Sequence, residues 1–214
     1  MPQGYLLAVD AGTGSGRAVL FNTLGQQVAV SQEEWFHQND AAFPGSMAFD
    51  TKTNWQLLSR AIQQVIAQAQ INPKKILAVS ATSMREGIVL YDKAEKAHWA
   101  CANVDARATE EVQELSQGHP ELERRMYERS GQTFALGALP RLEWVKRHAP
   151  EIYESTQSMS LISDWVLWCL CGELASDPSN ASTTGIFDNA KRNWEPAFTK
   201  ELGLKDDLFP KVLE

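Results

Sequence analysis

Residues 6–21 read Leu-Leu-Ala-Val-Asp-Ala-Gly-Thr-Gly-Ser-Gly-Arg-Ala-Val-Leu-Phe, and they contain the most informative pattern in the chain. Two apolar runs, Tyr5 to Val9 and Arg17 to Phe21, flank a glycine-rich turn, so the pattern predicts a strand, a turn and a second strand. Glycine lets a backbone turn tightly and brings its N–H groups close to an anion. The candidates for binding phosphate are the residues of the turn and the arginine that follows it: Gly12, Thr13, Gly14, Ser15 and Arg17.

Asp10 ends the first predicted strand and is the candidate metal ligand. Mg²⁺ that arrives with phosphate is commonly bound through only one or two carboxylates. Two common phosphate loops are excluded, because no lysine lies near the turn and the residues after Gly16 are strand-like rather than helical. An ordinary glycine-rich hairpin explains the same spacing and stays an alternative at this point.

The composition is that of an ordinary globular protein, with 214 residues, 43% of them hydrophobic and 22% charged. The formal net charge is −7 and no block of lysine or arginine stands out, so nucleic acid and anionic membranes are poor partners. No apolar run approaches the length of a membrane span, and the N-terminus lacks a signal-peptide pattern. We therefore expect a cytoplasmic protein.

Further strands and helices are predicted from the spacing of apolar residues. Gln27 to Glu33 alternates as a third strand, and an apolar stripe from Trp55 to Ala69 predicts a helix that Asp50 can cap. Lys75 to Ala81 is predicted to be a buried strand, because it is short and apolar. With a mostly helical second half, this order predicts an α/β fold with a mixed sheet.

A second candidate site lies between two predicted strands, at Thr82-Ser83-Met84-Arg85-Glu86-Gly87. An adjacent Arg–Glu pair at a strand end can bind a polyol, because the guanidinium donates to hydroxyl oxygens and the carboxylate accepts hydroxyl protons. A surface ion pair, which contributes little to stability, explains the same two residues. Spacing alone favours the ion pair.

Three acidic residues of the second half have local structural explanations. Asp105 follows an apolar stretch and can cap the helix after it. Ser163-Asp164 is predicted to cap a helix from Trp165 to Cys171. Asp177 to Asn180 is predicted to form a turn through bonds from its side chains to its own backbone.

These motifs together resemble the FGGY family of carbohydrate kinases, within the superfamily of sugar kinases, actin and Hsp70. Residues 7–17 are similar to the first phosphate motif of that family, and residues 83–87, 102–107 and 177–181 match in the same order. The resemblance implies a ribonuclease H-like fold, with a mixed sheet and flanking helices. It also implies that residues 1–214 form the N-terminal domain, and that a C-terminal nucleotide-binding domain is absent.

The resemblance implies roles for the candidate residues. Kinases of this family transfer the γ-phosphoryl group of ATP, with Mg²⁺, to a hydroxyl group of a carbohydrate. Asp10 would position the metal ion and water, and the glycine-rich turn would bind the phosphates. The substrate contacts would be Met84, Arg85, Glu86 and Asp105, and for Asp105 this role is compatible with that of a cap. The catalytic base would lie in the C-terminal domain, so we expect this chain alone to be inactive.

The identity of the substrate stays open at this point. Glycerol-type members carry an aromatic hydroxyl group in the segment after the Ser130-Gly131 position, whereas Gln132 to Gly137 contains no tyrosine. This difference speaks against glycerol and leaves a pentulose such as xylulose as an alternative. A non-catalytic module that binds sugar or protein is a second alternative. The intact Asp10 and Gly-Thr-Gly-Ser run favour a fragment of a kinase.

Overall fold

A computed structural model of the chain describes residues 4–213. Its first half is built on a four-stranded sheet in the order β3-β2-β1-β4. β1 (Tyr5–Ala11), β2 (Ser15–Asn22) and β3 (Gln27–Glu34) form an antiparallel meander, and β4 (Ile76–Ser83) runs parallel to β1. The predicted hairpin, third strand and mixed sheet are therefore confirmed.

α1 (Thr51–Gln68) connects β3 to β4 and packs against β2 and β3. Asp50 caps its first turn, since the Asp50 side chain accepts the backbone N–H of the third residue on. Leu58 and Val65 are fully buried on its inner face. A short 3-10 turn, Pro73–Lys75, leads into β4. The predicted cap and apolar stripe of this helix are confirmed.

The prediction that β4 is buried is wrong. β4 is the edge strand of the sheet, and its apolar side chains reach solvent, with Leu77 64% and Val79 40% exposed. The sheet buries Val9 and Leu20 on one face, but Leu6 on the other face is 41% exposed. An apolar run predicts that a strand has a neighbour to cover it. The apolar run does not indicate whether the covering segment lies within residues 4–213.

A smaller antiparallel sheet organises the second half. β5 (Ile88–Tyr91) is buried along its whole length and pairs with β6 (Ala97–Cys101). Four helices follow β6 in succession: α2 (Thr109–Gly118), α3 (Pro120–Ser130), α4 (Ala138–His148) and α5 (Pro150–Ser155). Gly131 ends α3 with a left-handed φ of 77°, as a glycine after a helix is expected to do.

β7 (Ser158–Leu161) completes the small sheet, and α6 (Ile162–Cys171) packs from there against β4 and β1. The helix begins at Ile162 and not at Trp165, so Asp164 lies within its first turn and is not the predicted cap. The remaining elements are short: β8 (Ala175–Ser176), α7 (Pro178–Ala181), β9 (Phe187–Asp188), β10 (Asn193–Trp194), α8 (Ala197–Glu201) and β11 (Lys211–Val212).

The buried side chains form two clusters. One lies between the large sheet, α1 and α6, where the Trp165 ring meets the Phe49 ring edge-on at 5.2 Å between centroids. The other lies between β5, β7 and helices α2 to α5. Within residues 4–213, no helix has the length and apolar character needed to cross a membrane. The two sheets and their shared helix α6 place the ends of β1 and β4 next to the loops of the second half.

Candidate functional site

The glycine-rich turn between β1 and β2 closes with a hydrogen bond from the Gly12 N–H to the Ser15 carbonyl, at 2.9 Å. Gly16 is required by packing, because a Cβ atom there would lie 2.4 Å from the indole ring of Trp35. No glycine of this turn has a positive φ. Backbone conformation therefore does not explain the remaining glycines of the turn.

Gly14 has no structural reason to be glycine. A Cβ atom on Gly14 would meet no atom within 4 Å. The Trp35 indole N–H donates to the carbonyls of Gly12 and Thr13 at 3.2 Å each, and its backbone N–H donates to the Gly14 carbonyl. The N–H groups of Thr13 and Gly14 meet no acceptor in the part of the chain that the structure describes. The turn thus offers free, unobstructed N–H donors, an arrangement that fits an anion such as phosphate.

Asp10 lies at the carboxyl end of β1, opposite Arg17 on β2 and beside Thr82 on β4. Its carboxylate is half-buried and forms no hydrogen bond or ion pair with any residue between 4 and 213. Arg17 lies on the same face of the sheet, but its guanidinium donates to the Gln32 side chain at 2.9 Å. An unpaired carboxylate beside a turn with free N–H groups fits Mg²⁺, which binds through few protein ligands and keeps several waters.

The Arg85-Glu86 pair follows β4, and the parallel pairing of β4 with β1 brings it beside the glycine-rich turn. The Met84 N–H donates to the Ala11 carbonyl at 2.9 Å. The Gly87 N–H donates to the Arg85 carbonyl at 2.8 Å across Glu86, whose φ is 63°. This is the rarer, strained form of the γ-turn, and strain of this kind is concentrated at binding sites.

The surface ion pair considered from the sequence is not formed. Within residues 4–213, neither the Arg85 nor the Glu86 side chain makes an ion pair or a hydrogen bond. Arg85 is exposed and Glu86 is half-buried. Arg85 also lines a polar pocket of about 300 Å³ that the end of β4 shares with Ser163 and Asn180. Both side chains are therefore available to a ligand.

Two predicted substrate residues are buried in the structure. Met84 is 6% exposed and its side chain packs into the core beneath the large sheet. The Asp105 side chain is fully buried, accepts the Met47 N–H at 2.6 Å and pairs with Arg107 at 2.7 Å. Asp105 does not cap α2 either, since that helix begins at Thr109. Both residues are thus buried, at 6% and 7% exposure.

Arg107 joins Asp105 to the aromatic core. Its guanidinium lies between the rings of Trp99 and Trp144, at 5.3 Å and 4.9 Å from their centroids. Both the ion pair and the cation–π contacts are shielded from solvent, where such interactions are stronger than at a surface. Arg107 therefore has a structural role, and Asp105 shares it.

Two residues outside the predicted set connect the segments of the site. Asn103, between β6 and α2, accepts the Thr13 hydroxyl at 3.1 Å. Arg141, on α4, donates to the carbonyls of Glu86 and Asn103. Asn103 lies within residues 102–107, which match a motif of the family that the sequence resembles, so it could have been identified from the sequence. Arg141 has no such signal, because both partners are backbone atoms far away in the sequence.

Asp164 lies behind the polar pocket and is buried. It accepts the Ser176 hydroxyl at 2.7 Å and the Leu161 N–H at 3.2 Å. Burial raises the pKa of this carboxyl group to about 6, although these hydrogen bonds oppose the shift. Asp177 accepts the Asn180 N–H at 3.1 Å, which confirms the local role predicted for this segment.

Comparison with known proteins gives the chain a family. Residues 5–214 match the N-terminal domain of the FGGY family of carbohydrate kinases. The chain is 52% identical to the autoinducer-2 kinase of Klebsiella pneumoniae subsp. pneumoniae over 211 residues, which are 98% of this chain and 40% of that protein. The chain therefore spans about two fifths of the length of the curated relatives it matches.

Solved structures show the same fold. A gluconate kinase and a ligand-bound xylulose kinase, both from Lactobacillus acidophilus, each superpose with a TM-score of 0.88 at 21% identity. In both cases the match covers 99% of this chain and 42% of the other. The ribonuclease H-like α/β fold is thereby confirmed. The chain belongs to the FGGY family of carbohydrate kinases and matches its N-terminal domain over nearly its whole length.

Proposed function

We propose that this chain is the N-terminal half of an ATP-dependent kinase that phosphorylates the autoinducer-2 precursor at its terminal hydroxyl group. One observation carries the proposal. At the carboxyl ends of β1 and β4, a turn with free N–H donors adjoins an Arg–Glu pair that makes no bond to the described residues. A phosphate group and a polyol could therefore be held side by side, which is what phosphoryl transfer requires.

Each group has a role that its chemistry suits. The N–H groups of Thr13 and Gly14 would donate to phosphate oxygens, and Asp10 would hold Mg²⁺. When bound, the ion would neutralise negative charge on the triphosphate. Arg85 would donate to substrate hydroxyl oxygens, and Glu86 would accept hydroxyl protons. Together these contacts would hold the attacked hydroxyl group beside the phosphates.

The substrate is inferred from the relatives. Proteins about 50% identical to this chain are named autoinducer-2 kinases. The alternative is a pentulose such as xylulose, which the likeness to a xylulose kinase supports more weakly, because at 21% identity that likeness reflects the fold. A kinase that consumes ATP would act in the cytoplasm, where ATP is supplied.

A C-terminal domain of the same polypeptide would supply the adenosine pocket and the catalytic base. The length of the relatives supports this part of the proposal, as does the open edge of the large sheet. Exposed apolar edge strands invite pairing, and proteins usually cover them. The remainder of the polypeptide would cover Leu77 and Val79 on β4. Without it, the chain would bind substrates weakly and transfer no phosphate.

The test is ATP-dependent phosphorylation by the longest product of the native reading frame, with residues 1–214 assayed in parallel. The panel would contain the autoinducer-2 precursor, xylulose, ribulose and glycerol. We expect activity only in the longer product, with the autoinducer-2 precursor preferred. In that product, Asp10→Ala should lower kcat/KM at least tenfold, or about 1.4 kcal/mol. A smaller loss would show that Asp10 does not bind the metal ion. A preference for xylulose would show that xylulose, and not the autoinducer-2 precursor, is the substrate.

A further inference from the structure

Arg141 is a buried cation without a carboxylate partner. It lies at the end of the first turn of α4, where 6% of its surface is exposed. No aspartate or glutamate in the described part of the chain lies within ion-pair distance of its guanidinium. Burying a charge is costly unless it is well hydrogen-bonded. Here the hydrogen bonds go to two backbone carbonyls, those of Glu86 and Asn103, the latter at 3.1 Å.

Both carbonyls belong to segments that carry the site. Glu86 is the centre of the strained γ-turn, and its carbonyl is held by Arg141. The next residue, Gly87, is tightly enclosed, since a Cβ atom there would lie 2.9 Å from Ile162. A strained backbone conformation persists only where its surroundings over-determine it. Arg141 supplies one of those constraints.

The Asn103 carbonyl ties the same guanidinium to the glycine-rich turn. The Asn103 side chain accepts the Thr13 hydroxyl at 3.1 Å, while its carbonyl accepts from Arg141. The buried Arg141 side chain thus bridges the loop after β4 and the loop after β6. Through Asn103 it is also linked to the turn after β1. Only the long, planar guanidinium, with its several donors in a fixed fork, can satisfy two carbonyls in this way.

We propose that Arg141 is a positioning residue, which holds the Glu86 carboxylate in the orientation that accepts substrate hydroxyl groups. This inference rests on the substrate role proposed for Glu86. In this proposal Arg141 acts on the substrate through the backbone of Glu86 and not through a contact of its own. Because the glycine-rich turn keeps its own bonds from Trp35, the loss of Arg141 should affect the carbohydrate site more than the phosphate site.

The experiment compares Arg141→Met, Arg141→Lys and Arg147→Met in the full-length enzyme. Arg147 lies on the same helix but is exposed, and it pairs with Glu114 and Glu143 at the surface, so it controls for losing an arginine from α4. We expect Arg141→Met to raise KM for the carbohydrate at least tenfold while KM for ATP changes less than twofold. Arg141→Lys should recover part of the loss, and Arg147→Met should change neither constant.

Amide hydrogen exchange at Gly87 gives a readout that does not depend on turnover. In Arg141→Met the exchange rate of this amide should rise at least tenfold, and in Arg147→Met it should not change. If no carbohydrate of the panel is phosphorylated, the proposed function fails, and the exchange rate alone then decides whether Arg141 holds the turn. An unchanged exchange rate, or equal effects on both KM values, would overturn the inference. If Arg141→Met does not fold, the same comparisons are made with Arg141→Lys.

Discussion

Asp164→Asn is the substitution whose effect on stability follows most directly from the structure. The carboxyl group is buried between α6 and β8, and it accepts the Ser176 hydroxyl and the Leu161 N–H on the same oxygen. Desolvation raises its pKa from 3.8 to about 6 in the folded protein. An asparagine keeps an acceptor oxygen for both donors and has no proton to lose. The pair of proteins therefore isolates the titration of one group.

The sign follows from proton linkage. The folded state binds this proton more tightly than the unfolded state, so the contribution to stability is fully present below the unfolded pKa of 3.8. It is lost as the pH rises through the folded pKa of about 6. A rise of roughly two pKa units, at about 1.4 kcal/mol for each unit, corresponds to about 3 kcal/mol. Relative to Asp164→Asn, the wild-type chain should lose most of that amount, roughly 2 kcal/mol of unfolding free energy, between pH 4 and pH 7.

Urea denaturation of both proteins at intervals from pH 4 to pH 8 measures this difference. Groups that do not interact with Asp164 titrate alike in both proteins, so their contributions cancel when the two unfolding free energies are subtracted. Asp177→Asn is the matched control, because Asp177 is a neighbouring cap that lies nearer the surface. Its difference from wild type should vary less with pH than that of Asp164→Asn, because Asp177 is exposed. If the Asp164→Asn difference is constant across the range, the carboxyl group is not raised and the reasoning from its burial is refuted.

Three further substitutions test the packing of the site. Gly16→Ala should lower the unfolding free energy by about 1–3 kcal/mol in urea denaturation, because its Cβ atom would lie 2.4 Å from the Trp35 ring. Gly14→Ala should leave the Tm unchanged, because its Cβ atom meets no neighbour. It should weaken ATP binding by the full-length enzyme, as measured by calorimetry. An unaltered affinity would show that Gly14 does not belong to the phosphate site. Arg107→Met should cost about 3–5 kcal/mol in the same denaturation assay, because the Asp105 carboxylate would be left buried and unpaired.

The features that the sequence determined by itself are those set by near neighbours in the chain. The hairpin around residues 12–14 and the Asp50 cap of α1 were both predicted and confirmed, and the end of α3 at Gly131 is of the same local kind. Each depends on backbone preferences and on hydrogen bonds that span only a few residues. The family resemblance could also be recognised from the sequence, because its motifs are short and contiguous.

Only the tertiary structure shows which side chains are buried and which polar groups pair with each other. An apolar run predicted that β4 is covered, yet β4 is an edge strand and its Leu77 side chain is exposed. Aspartate is a common helix cap and ligand-binding residue, but the Asp105 carboxylate is already paired with Arg107 and accepts the Met47 N–H. Arg141 bonds to backbone carbonyls, which every residue type offers equally. Which distant backbone lies within reach of a side chain is a consequence of packing, and no local pattern encodes it.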